Sequence, residues 1–293
     1  MSFDLTVYGN LILDNTFCVE QYAHEESNIC TARHMSPGAS ANVVSAISRL
    51  DSALNVNLSS IIGDDTAGRY IEKWFLNFKK LNPINLNLNL EKTNQNTSEA
   101  VIISDLSNKS RSSIVNWGAC QALKNLKNFN SKWSHILYLD KLPNLDLNSL
   151  KNLSDESIIS VDLCSSNQNL ETRETMISML PYIDYVFASF EEGCCLAQRD
   201  NPYDASRFIA KKTRGWCILH SPDGSYISEG SHQTTKKYNV TDKVTGPVNV
   251  LGAGDNLATA FIVDQIKRQS EVNESIKFAQ AQATEYIKNN QKE

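Results

Sequence analysis

The chain has 293 residues, of which 41% are hydrophobic and 21% are charged, enough to bury a large core in one big α/β domain or two small ones. Its net charge of −5 excludes the general basic character of a DNA- or RNA-binding protein. The N-terminus lacks the basic and apolar regions of a signal peptide, and no apolar run is long enough to cross a bilayer, so we expect a cytoplasmic protein.

Short apolar runs rich in β-branched residues alternate with amphipathic segments. Seven of these runs have the length of buried strands, at residues 5–9, 58–63, 99–104, 135–140, 157–162, 184–189 and 216–221. Helical periodicity covers residues 43–50 and 257–266. Strands that alternate with helices predict a mostly parallel sheet covered on both faces.

Residues 84–90 (INLNLNL) break this rhythm, because apolar and polar residues alternate with period two. The alternation predicts a strand with one solvated face. Disorder of the asparagine-rich stretch at 82–96 is the alternative, and the strict period favours the strand. No repeat or linker divides the chain, so we predict one domain with a small appendage.

Seven cysteines are spread along the chain without a C-x-x-C pair. An odd number without regular spacing indicates reduced thiols rather than a disulfide framework. The adjacent Cys194 and Cys195 are interpreted as ordinary half-buried residues, because a reactive thiol needs an electropositive setting that the sequence does not indicate.

Residues 250–261 place two glycines and an acid before a helical pattern and read VLGAGDNLATAF. The first N–H groups of a helix lack internal partners, and the helix dipole adds positive potential there. Glycines at such a position let the backbone approach a ligand closely, which predicts a phosphate-binding turn. The turn is neither a dinucleotide fingerprint, which needs a glycine where Leu257 stands, nor a P-loop, which needs Gly-Lys-Ser/Thr.

Asp255, the acid of this turn, has two interpretations. Aspartate is a good helix N-cap. Alternatively, its carboxylate is a general base that takes a proton from an attacking hydroxyl while the N–H groups hold the phosphoryl group. The local pattern by itself favours the cap.

Five segments together resemble the ribokinase-like (PfkB) family of small-molecule kinases. Residues 250–261 resemble its C-terminal signature, and residues 37–50 (PGASANVVSAISRL) resemble its N-terminal signature. Residues 61–71 (IIGDDTAGRYI) resemble its V-G-x-D-x-x-G segment, and residues 188–196 (ASFEEGCCL) its P-N-x-x-E-A stretch. Gly9 and Asp14 form the G-x-x-x-x-D pattern with which such kinases open. The matches follow the family order along nearly the whole chain.

The resemblance implies a three-layer α/β/α sandwich with a mostly parallel central sheet, one domain whose small β lid comes from residues of about 11–36 and 94–117. It also implies transfer of the γ-phosphate of ATP, with Mg²⁺, to a hydroxyl of a sugar or sugar-like acceptor. Asp255 is then the base, and Gly252, Ala253 and Gly254 form the anion hole. The other assigned residues bind the acceptor (Asp14, Gly38 and Asn42), the nucleotide (Ser189, Ser221 and Gly224) and, through water, the Mg²⁺ ion (Glu192).

Three of these residues also have structural interpretations. Asp14 fits a turn or cap residue, Asn42 a solvated helix residue, and Glu192 the polar start of a helix. Three more residues are interpreted structurally. His220 is interpreted as a satisfied residue near a strand end rather than an adenine or phosphate contact, and Arg33 and Arg111 as solvated surface residues rather than groups that recognise an acidic sugar.

The departures from the family pattern lie mainly on the nucleotide side. Asn249 and Val250 replace the usual Asp-Thr, and the lost carboxylate argues against activation by a monovalent cation. Ser189 replaces an asparagine and is a weaker partner for metal-bound water. Ser221 replaces a glycine that lets the backbone approach ATP, whereas Ala39 for glycine is a tolerable change.

These departures leave alternatives to a sugar kinase. A nucleoside kinase of the same family differs only in the acceptor, and a sugar-binding or regulatory relative would have little activity. The intact glycine-acid turn favours a kinase, because a chain without catalysis has no physical need for it. We expect ATP and a small acceptor as partners, no nucleic acid and no membrane, and we leave open a homodimer that pairs through the lid.

Overall fold

The structure is a computed structural model that describes residues 2–108, 110–164, 169–232, 234–245 and 250–289. The strands are β1 Phe3–Gly9, β2 Leu11–Val19, β3 Cys30–Ala39, β4 Asn55–Gly63, β5 Asn85–Thr93, β6 Ser98–Asp105, β7 Ser110–Asn116, β8 Ser131–Leu137, β9 Ile158–Asp162, β10 Tyr185–Ser189, β11 Trp216–Ser221, β12 Gly224–Glu229 and β13 Thr235–Asn239. The α-helices are α1 Ser40–Leu50, α2 Thr66–Leu81, α3 Leu147–Ser154, α4 Leu170–Met179, α5 Phe190–Ala197, α6 Pro202–Ala210, α7 Ala253–Arg268 and α8 Val272–Asn289.

The central sheet has nine strands in the order β13-β12-β11-β10-β9-β8-β1-β4-β5. The strands from β11 to β5 are parallel to their neighbours, and β12 and β13 add an antiparallel edge. Successive residues of one strand enter two different cores: Phe187 packs in the core with α1, α2, α7 and α8, whereas Val186 and Ala188 pack in the core with α3 to α6. Because side chains alternate across a strand, the helices cover both faces of the sheet. The predicted three-layer α/β/α sandwich is confirmed.

The seven predicted strands all coincide with strands of the structure, and both predicted helices lie within α1 and α7. The run at 135–140 ends early, at Leu137, because Tyr138 adopts a left-handed backbone (φ 53°) and a 3-10 turn follows. The prediction of a strand at 84–90 is confirmed by β5, in which Leu86 is buried and Asn87 exposed. This strand lies at the edge of the central sheet.

Strands β2, β3, β6 and β7 form a second, four-stranded sheet, hereafter the small sheet, in the order β3-β2-β6-β7. They lie within the two segments that the resemblance assigns to a lid, except that β3 continues to Ala39. One face of the small sheet carries a buried apolar cluster of Ile12, Ala39, Ala100 and Ile102, which faces the body of the protein. This arrangement encloses space between the two sheets.

All seven cysteines have free thiols, and Cys194 and Cys195 are half-buried, as the sequence indicates. Among the described residues, the helices are all too short or too polar to span a bilayer.

Candidate active site

A cavity of about 510 Å³ lies between the small sheet, the carboxyl ends of β9, β10 and β11, and the start of α7. Clefts at the carboxyl ends of parallel strands are where open α/β sheets bind ligands. The predicted site residues that line it are Asp14, Asn42, Ser189, Glu192, Ser221, Gly252, Ala253, Gly254 and Asp255. Residues more than 200 positions apart in the chain therefore meet in one cleft.

Helix α7 begins directly at the cavity. Gly252 is its N-cap residue and has a left-handed backbone (φ 78°), and among the described residues no side chain caps the helix. The N–H group of Ala253 donates to the Val250 carbonyl (3.1 Å). Within the described part of the chain, the N–H groups of Gly254 and Asp255 have no acceptor. A helix start with unpaired donors beside a cavity is an anion-binding arrangement.

Asp255 is the third residue of α7 and does not cap it, so the N-cap interpretation is wrong. Its carboxylate accepts a hydrogen bond from Asn42 Nδ2 (2.7 Å) and a longer one from the Tyr138 hydroxyl (3.4 Å). Burial raises the pKa of Asp255, while Asn42, the charge of Arg111 and Tyr138 act in the opposite direction. The structure therefore presents a buried, oriented carboxylate next to the unpaired N–H groups.

Asn42 is half-buried and its side chain is hydrogen-bonded. It lies in the first turn of α1, lines the cavity and donates to Asp255, so its interpretation as a solvated helix residue is wrong.

Asp14 lies within β2, on the face of the small sheet that looks into the cavity, so the turn-or-cap interpretation is wrong. Burial, and then the charge of Asp255, raise the pKa of Asp14 to about 7, and Arg111 opposes the shift. No described residue donates a hydrogen bond to the Asp14 carboxylate. Gly38 sits behind it on β3, where a Cβ would lie 1.9 Å from Asp14 Oδ2. Gly38 itself does not line the cavity, and its contribution is the space for this carboxylate.

Glu192 forms a capping box with Ser189 at the start of α5, which confirms the helix-start interpretation. Glu192 Oε2 accepts from the Ser189 N–H (2.7 Å), and Ser189 Oγ accepts from the Glu192 N–H (3.2 Å). The side chain also lines the cavity, and burial raises its pKa to about 7. Asp162, at the end of β9, lines the same wall and its pKa is raised, chiefly by burial and by the nearby Asp255 and Glu192 charges.

These carboxylates do not form a direct metal site. Within the described ranges, no three His, Cys, Asp or Glu side chains are close enough together to bind one ion. The donor set fits a cation held mainly by phosphate oxygens and water, with Glu192 as an outer partner. Of the two residues that replace the family's usual Asp-Thr pair, Val250 has no side-chain oxygen, and Asn249 lies outside the described residues.

A tight turn between β11 and β12 brings Ser221 to the cavity. Ser221 Oγ donates to the Gly224 carbonyl (3.3 Å) and accepts from the Asp223 N–H (3.3 Å). Gly224 has φ 152°, and a Cβ there would lie 2.3 Å from the Tyr238 carbonyl oxygen. Gly224 does not line the cavity, so its place in the structure is a close backbone packing position.

The pfkB family carbohydrate kinase pattern matches residues 2–291, nearly the whole chain. The chain belongs to this family.

The fold of this pfkB-family kinase is shared with solved structures at low sequence identity. Adenosine kinase from Schistosoma mansoni in complex with 2-fluoroadenosine is 17% identical with a TM-score of 0.78, covering 97% of this chain and 95% of that one. A putative ribokinase from Agrobacterium tumefaciens is 13% identical with a TM-score of 0.78 (98% and 92%). Arabidopsis thaliana ribokinase complexed with ribose and ATP is 17% identical with a TM-score of 0.75 (98% and 93%).

His220 does not have the purely structural role that the sequence predicts. It lines the cavity, has no hydrogen-bond partner for its ring within the described ranges, and covers the turn: a Cβ at Gly254 would lie 3.1 Å from its Cε1. Burial lowers its pKa to about 4, so the ring is neutral at pH 7. The interpretation as a satisfied residue is wrong.

The two lid-segment arginines differ. Arg33 donates to Asn15 and lies over the Phe17 ring, outside the cavity, which confirms the surface interpretation. Arg111 is exposed too, as the surface interpretation has it, but it also lines the cavity, and its charge acts on the pKa of Asp14, Glu192 and Asp255.

Sequence reasoning missed the remaining wall of the cavity. It is formed by residues of α8 and of the segment after β13: Gln280, Ala283, Thr284, Ile287, Val240 and Val244. On α8 these positions follow helical spacing, which in sequence is the pattern of an ordinary amphipathic helix.

Proposed function

We propose that this kinase transfers the γ-phosphoryl group of ATP to a hydroxyl of a sugar or sugar-like acceptor, with Asp255 as the general base. The observation that carries the proposal is the pairing of a buried, oriented carboxylate with unpaired N–H groups at the start of α7, in one cavity. Phosphoryl transfer depends on positioning and charge stabilisation, and this pair supplies both.

The proton step involves Asp255. Its raised pKa brings the carboxylate closer to the value of an efficient base at neutral pH. It takes the proton of the acceptor hydroxyl, the oxygen forms a bond to the γ-phosphorus, and the bond to the β-phosphate oxygen breaks to release ADP. Asn42 holds the carboxylate in place through its 2.7 Å hydrogen bond.

The family resemblance assigns the anion hole to Gly252, Ala253 and Gly254. We propose that the N–H groups of Gly254 and Asp255 contact the migrating phosphoryl group, because the Ala253 N–H is occupied by the Val250 carbonyl. Gly252 provides the left-handed turn that starts the helix, and Ala253 and Gly254 keep side-chain bulk out of the phosphate position.

The acceptor hydroxyls are assigned to Asp14 and Asn42, with Gly38 making room for Asp14. An ionised Asp14 accepts hydrogen bonds from hydroxyls, and an amide can donate and accept. The small sheet would then act as a lid over the acceptor, with Arg111 extending from β7 into the cavity.

The nucleotide would lie against Ser189, Ser221 and the face of α8 that lines the cavity, with Gly224 shaping the turn. Mg²⁺ bound to ATP would neutralise the charge that develops on the phosphoryl oxygens. Glu192 would position it through water, using the carboxylate oxygen that does not accept from the Ser189 N–H. We propose no role for a monovalent cation.

A nucleoside kinase is the second candidate, and the apolar inner face of the small sheet favours it. Ile12, Ala100 and Ile102 face the cavity, and Trp117 lies edge-on to Tyr138 beside them (ring centroids 6.5 Å apart). Such a surface suits a flat, weakly polar group such as a nucleobase.

The test is ADP release over a panel of sugars and nucleosides with ATP and Mg²⁺, combined with thermal-shift titration of each ligand. Turnover with sugars supports the first candidate, and turnover with nucleosides only supports the second. Stabilisation by a sugar without nucleotide binding or turnover would contradict both and indicate a binding or regulatory relative.

We also propose that a second copy pairs with the small sheet. Its outer face exposes Met35, Val101 and Ile114, which lie on β3, β6 and β7, with Val101 paired to Ile114 across the strands. Sedimentation of the wild type and of Ile114→Lys measures this, with a dimer expected for the first and a monomer for the second. A monomeric wild type would contradict it.

A further inference from the structure

The turn before α7 has a glycine at the N-cap position, and side chains bind the carbonyl groups of Leu251 and Gly252. The Tyr286 hydroxyl donates to the Leu251 carbonyl (2.9 Å). Asn256 Nδ2 donates to the Gly252 carbonyl (2.8 Å), in addition to the ordinary helical bond from its own N–H (3.0 Å). The left-handed residue at the helix start is therefore fixed from outside the turn.

Arg49 connects these two side chains. Its Nη2 donates to Asn256 Oδ1 (2.6 Å), which orients the amide so that its nitrogen faces the Gly252 carbonyl. The guanidinium also lies 5.3 Å from the centre of the Tyr286 ring, within the range of a cation–π contact. Asn256 is 5% exposed, so this amide is shielded from competing water.

Helix α1 contacts two consecutive residues near the start of α7. Asn42 contacts Asp255 and Arg49 contacts Asn256, and the two α1 residues are seven positions apart, which is about two helical turns and one face. A Cβ at Gly252 would lie 3.1 Å from the Tyr286 hydroxyl and 3.2 Å from Asn42 Nδ2, so these groups pack directly on the turn. Arg49, Asn256 and Tyr286 do not line the cavity.

We propose that Arg49, Asn256 and Tyr286 form a clamp that sets the position of the unpaired N–H groups and of the Asp255 carboxylate. They are positioning residues, since they act through the backbone of the turn and do not touch substrate. The effect of the clamp on turnover rests on the proposed kinase function, and its effect on the turn does not.

The kinetic test compares Asn256→Ala, Tyr286→Phe and Arg49→Met with the wild type. Misplacement of reacting groups by about 1 Å can cost on the order of a hundredfold. We expect Asn256→Ala to lower kcat by about ten- to a hundredfold and the other two by less, with the acceptor KM within about twofold of wild type. In Asn256→Asp the carboxylate still accepts from Arg49, but its second oxygen faces the Gly252 carbonyl and cannot donate to it. This variant should therefore not restore kcat.

Matched controls remove equivalent bonds elsewhere. Tyr8→Phe deletes a hydroxyl that donates to the Lys127 carbonyl (2.6 Å) in the core, and Asn201→Ala deletes the N-cap of α6. Both should lower stability and leave kcat unchanged. If the clamp variants change kcat no more than these controls do, the proposal is overturned.

Hydrogen–deuterium exchange of the peptide that covers 250–256 supplies a measurement independent of activity. We expect faster exchange in the three clamp variants than in the two controls, at equal global stability. Unchanged exchange in the clamp variants would overturn the proposal. An inactive wild type would refute the kinase function and leave the exchange result to decide the clamp.

Discussion

The two halves of the cavity, proposed above to bind the acceptor and the nucleotide and called here the acceptor half and the nucleotide half, hold their polar groups in different ways. In the acceptor half, Asp255 is oriented by Asn42, which lies 213 residues earlier, and the Asp14 carboxylate faces the cavity. In the nucleotide half, Ser189 and Glu192 bind each other three residues apart, and Ser221 binds its own turn.

The difference separates groups kept for a ligand from groups used by the fold. A carboxylate that is buried without a full set of partners costs stability, and such groups persist where a ligand completes them. Capped and turn-bound side chains already contribute to stability. We therefore expect substitutions in the acceptor half to affect turnover or acceptor binding most, and those in the nucleotide half to affect stability most.

The largest effect should come from Asp255→Asn. Amide and carboxylate have nearly the same shape, but the amide cannot take the acceptor proton, so kcat should fall at least about a hundredfold. ADP release measures kcat, and thermal shift with ATP and Mg²⁺ checks that the fold and nucleotide binding persist. Turnover within a few-fold of wild type would refute the base.

Asp14→Asn should come next, with a raised acceptor KM and an unchanged KM for ATP. A hydrogen bond to a charged group is worth about 1.5 kcal/mol or more, which corresponds to about tenfold in affinity. Asp105→Asn is the matched control, because Asp105 is a carboxylate of the same sheet that binds Tyr22 and Asn108 outside the cavity. An equal rise in acceptor KM for both variants would contradict a direct role of Asp14.

Ser189→Ala should mainly lower stability. Loss of an N-cap costs about 1 kcal/mol of unfolding free energy, measured by denaturant titration. Asn169→Ala removes the N-cap of α4, where Asn169 accepts from the Thr172 N–H (2.8 Å), and should cost the same. The two should differ in the KM for ATP, which rises severalfold only for Ser189→Ala. Equal KM values would remove Ser189 from the nucleotide site.

The smallest effect concerns pH, because lowering the pH should raise the stability of the fold and lower its affinity for the acceptor. The folded pKa of Asp14 is raised from 3.8 to about 7, so the folded state binds the extra proton between these values. Asp14 alone should therefore raise stability as pH falls from 8 to 6.5, by up to about 1 kcal/mol, while acceptor affinity falls. Glu192, whose pKa is also raised to about 7, should add a rise of the same sign. The window stays at or above 6.5 because His135 and His220, whose folded pKa values are lowered, destabilise the fold as pH drops further.

In Asp14→Asn this rise in stability should be reduced. Melting temperatures at pH 8 and 6.5 for both proteins measure it. The same rise in the wild type and the variant would assign it to another group.

Six strands of the central sheet (β1, β4 and β8 to β11) were predictable because their apolar runs are β-branched, and β5 was predictable from its alternation. Strand β13 was not predicted, and neither was β12. It reads GSYISE, and its serines are fully buried: Ser228 pairs with Thr235, and Ser225 accepts from Gln280. Hydroxyls that are satisfied across strands look like loop residues in a sequence.

The site residues also divide into those that local sequence motifs predict and those that they do not. The motifs placed Asp14, Asn42, Glu192 and Asp255 at the cavity, whereas Arg111 carried only a weak signal, the alternation with Ser113 and Val115 along β7. His220 carried none, because its position depends on packing against Gly254, 34 residues later. Such contacts follow from tertiary structure and not from local pattern.

The most direct measurement of the central claim is a crystal structure with the acceptor and a non-hydrolysable ATP analogue bound. The account predicts an Asp255 carboxylate oxygen within about 2.6–3.2 Å of the acceptor hydroxyl, and the Gly254 N–H directed at the terminal phosphate. A hydroxyl held by another group, with Asp255 bound only to Asn42 and Tyr138, would contradict it.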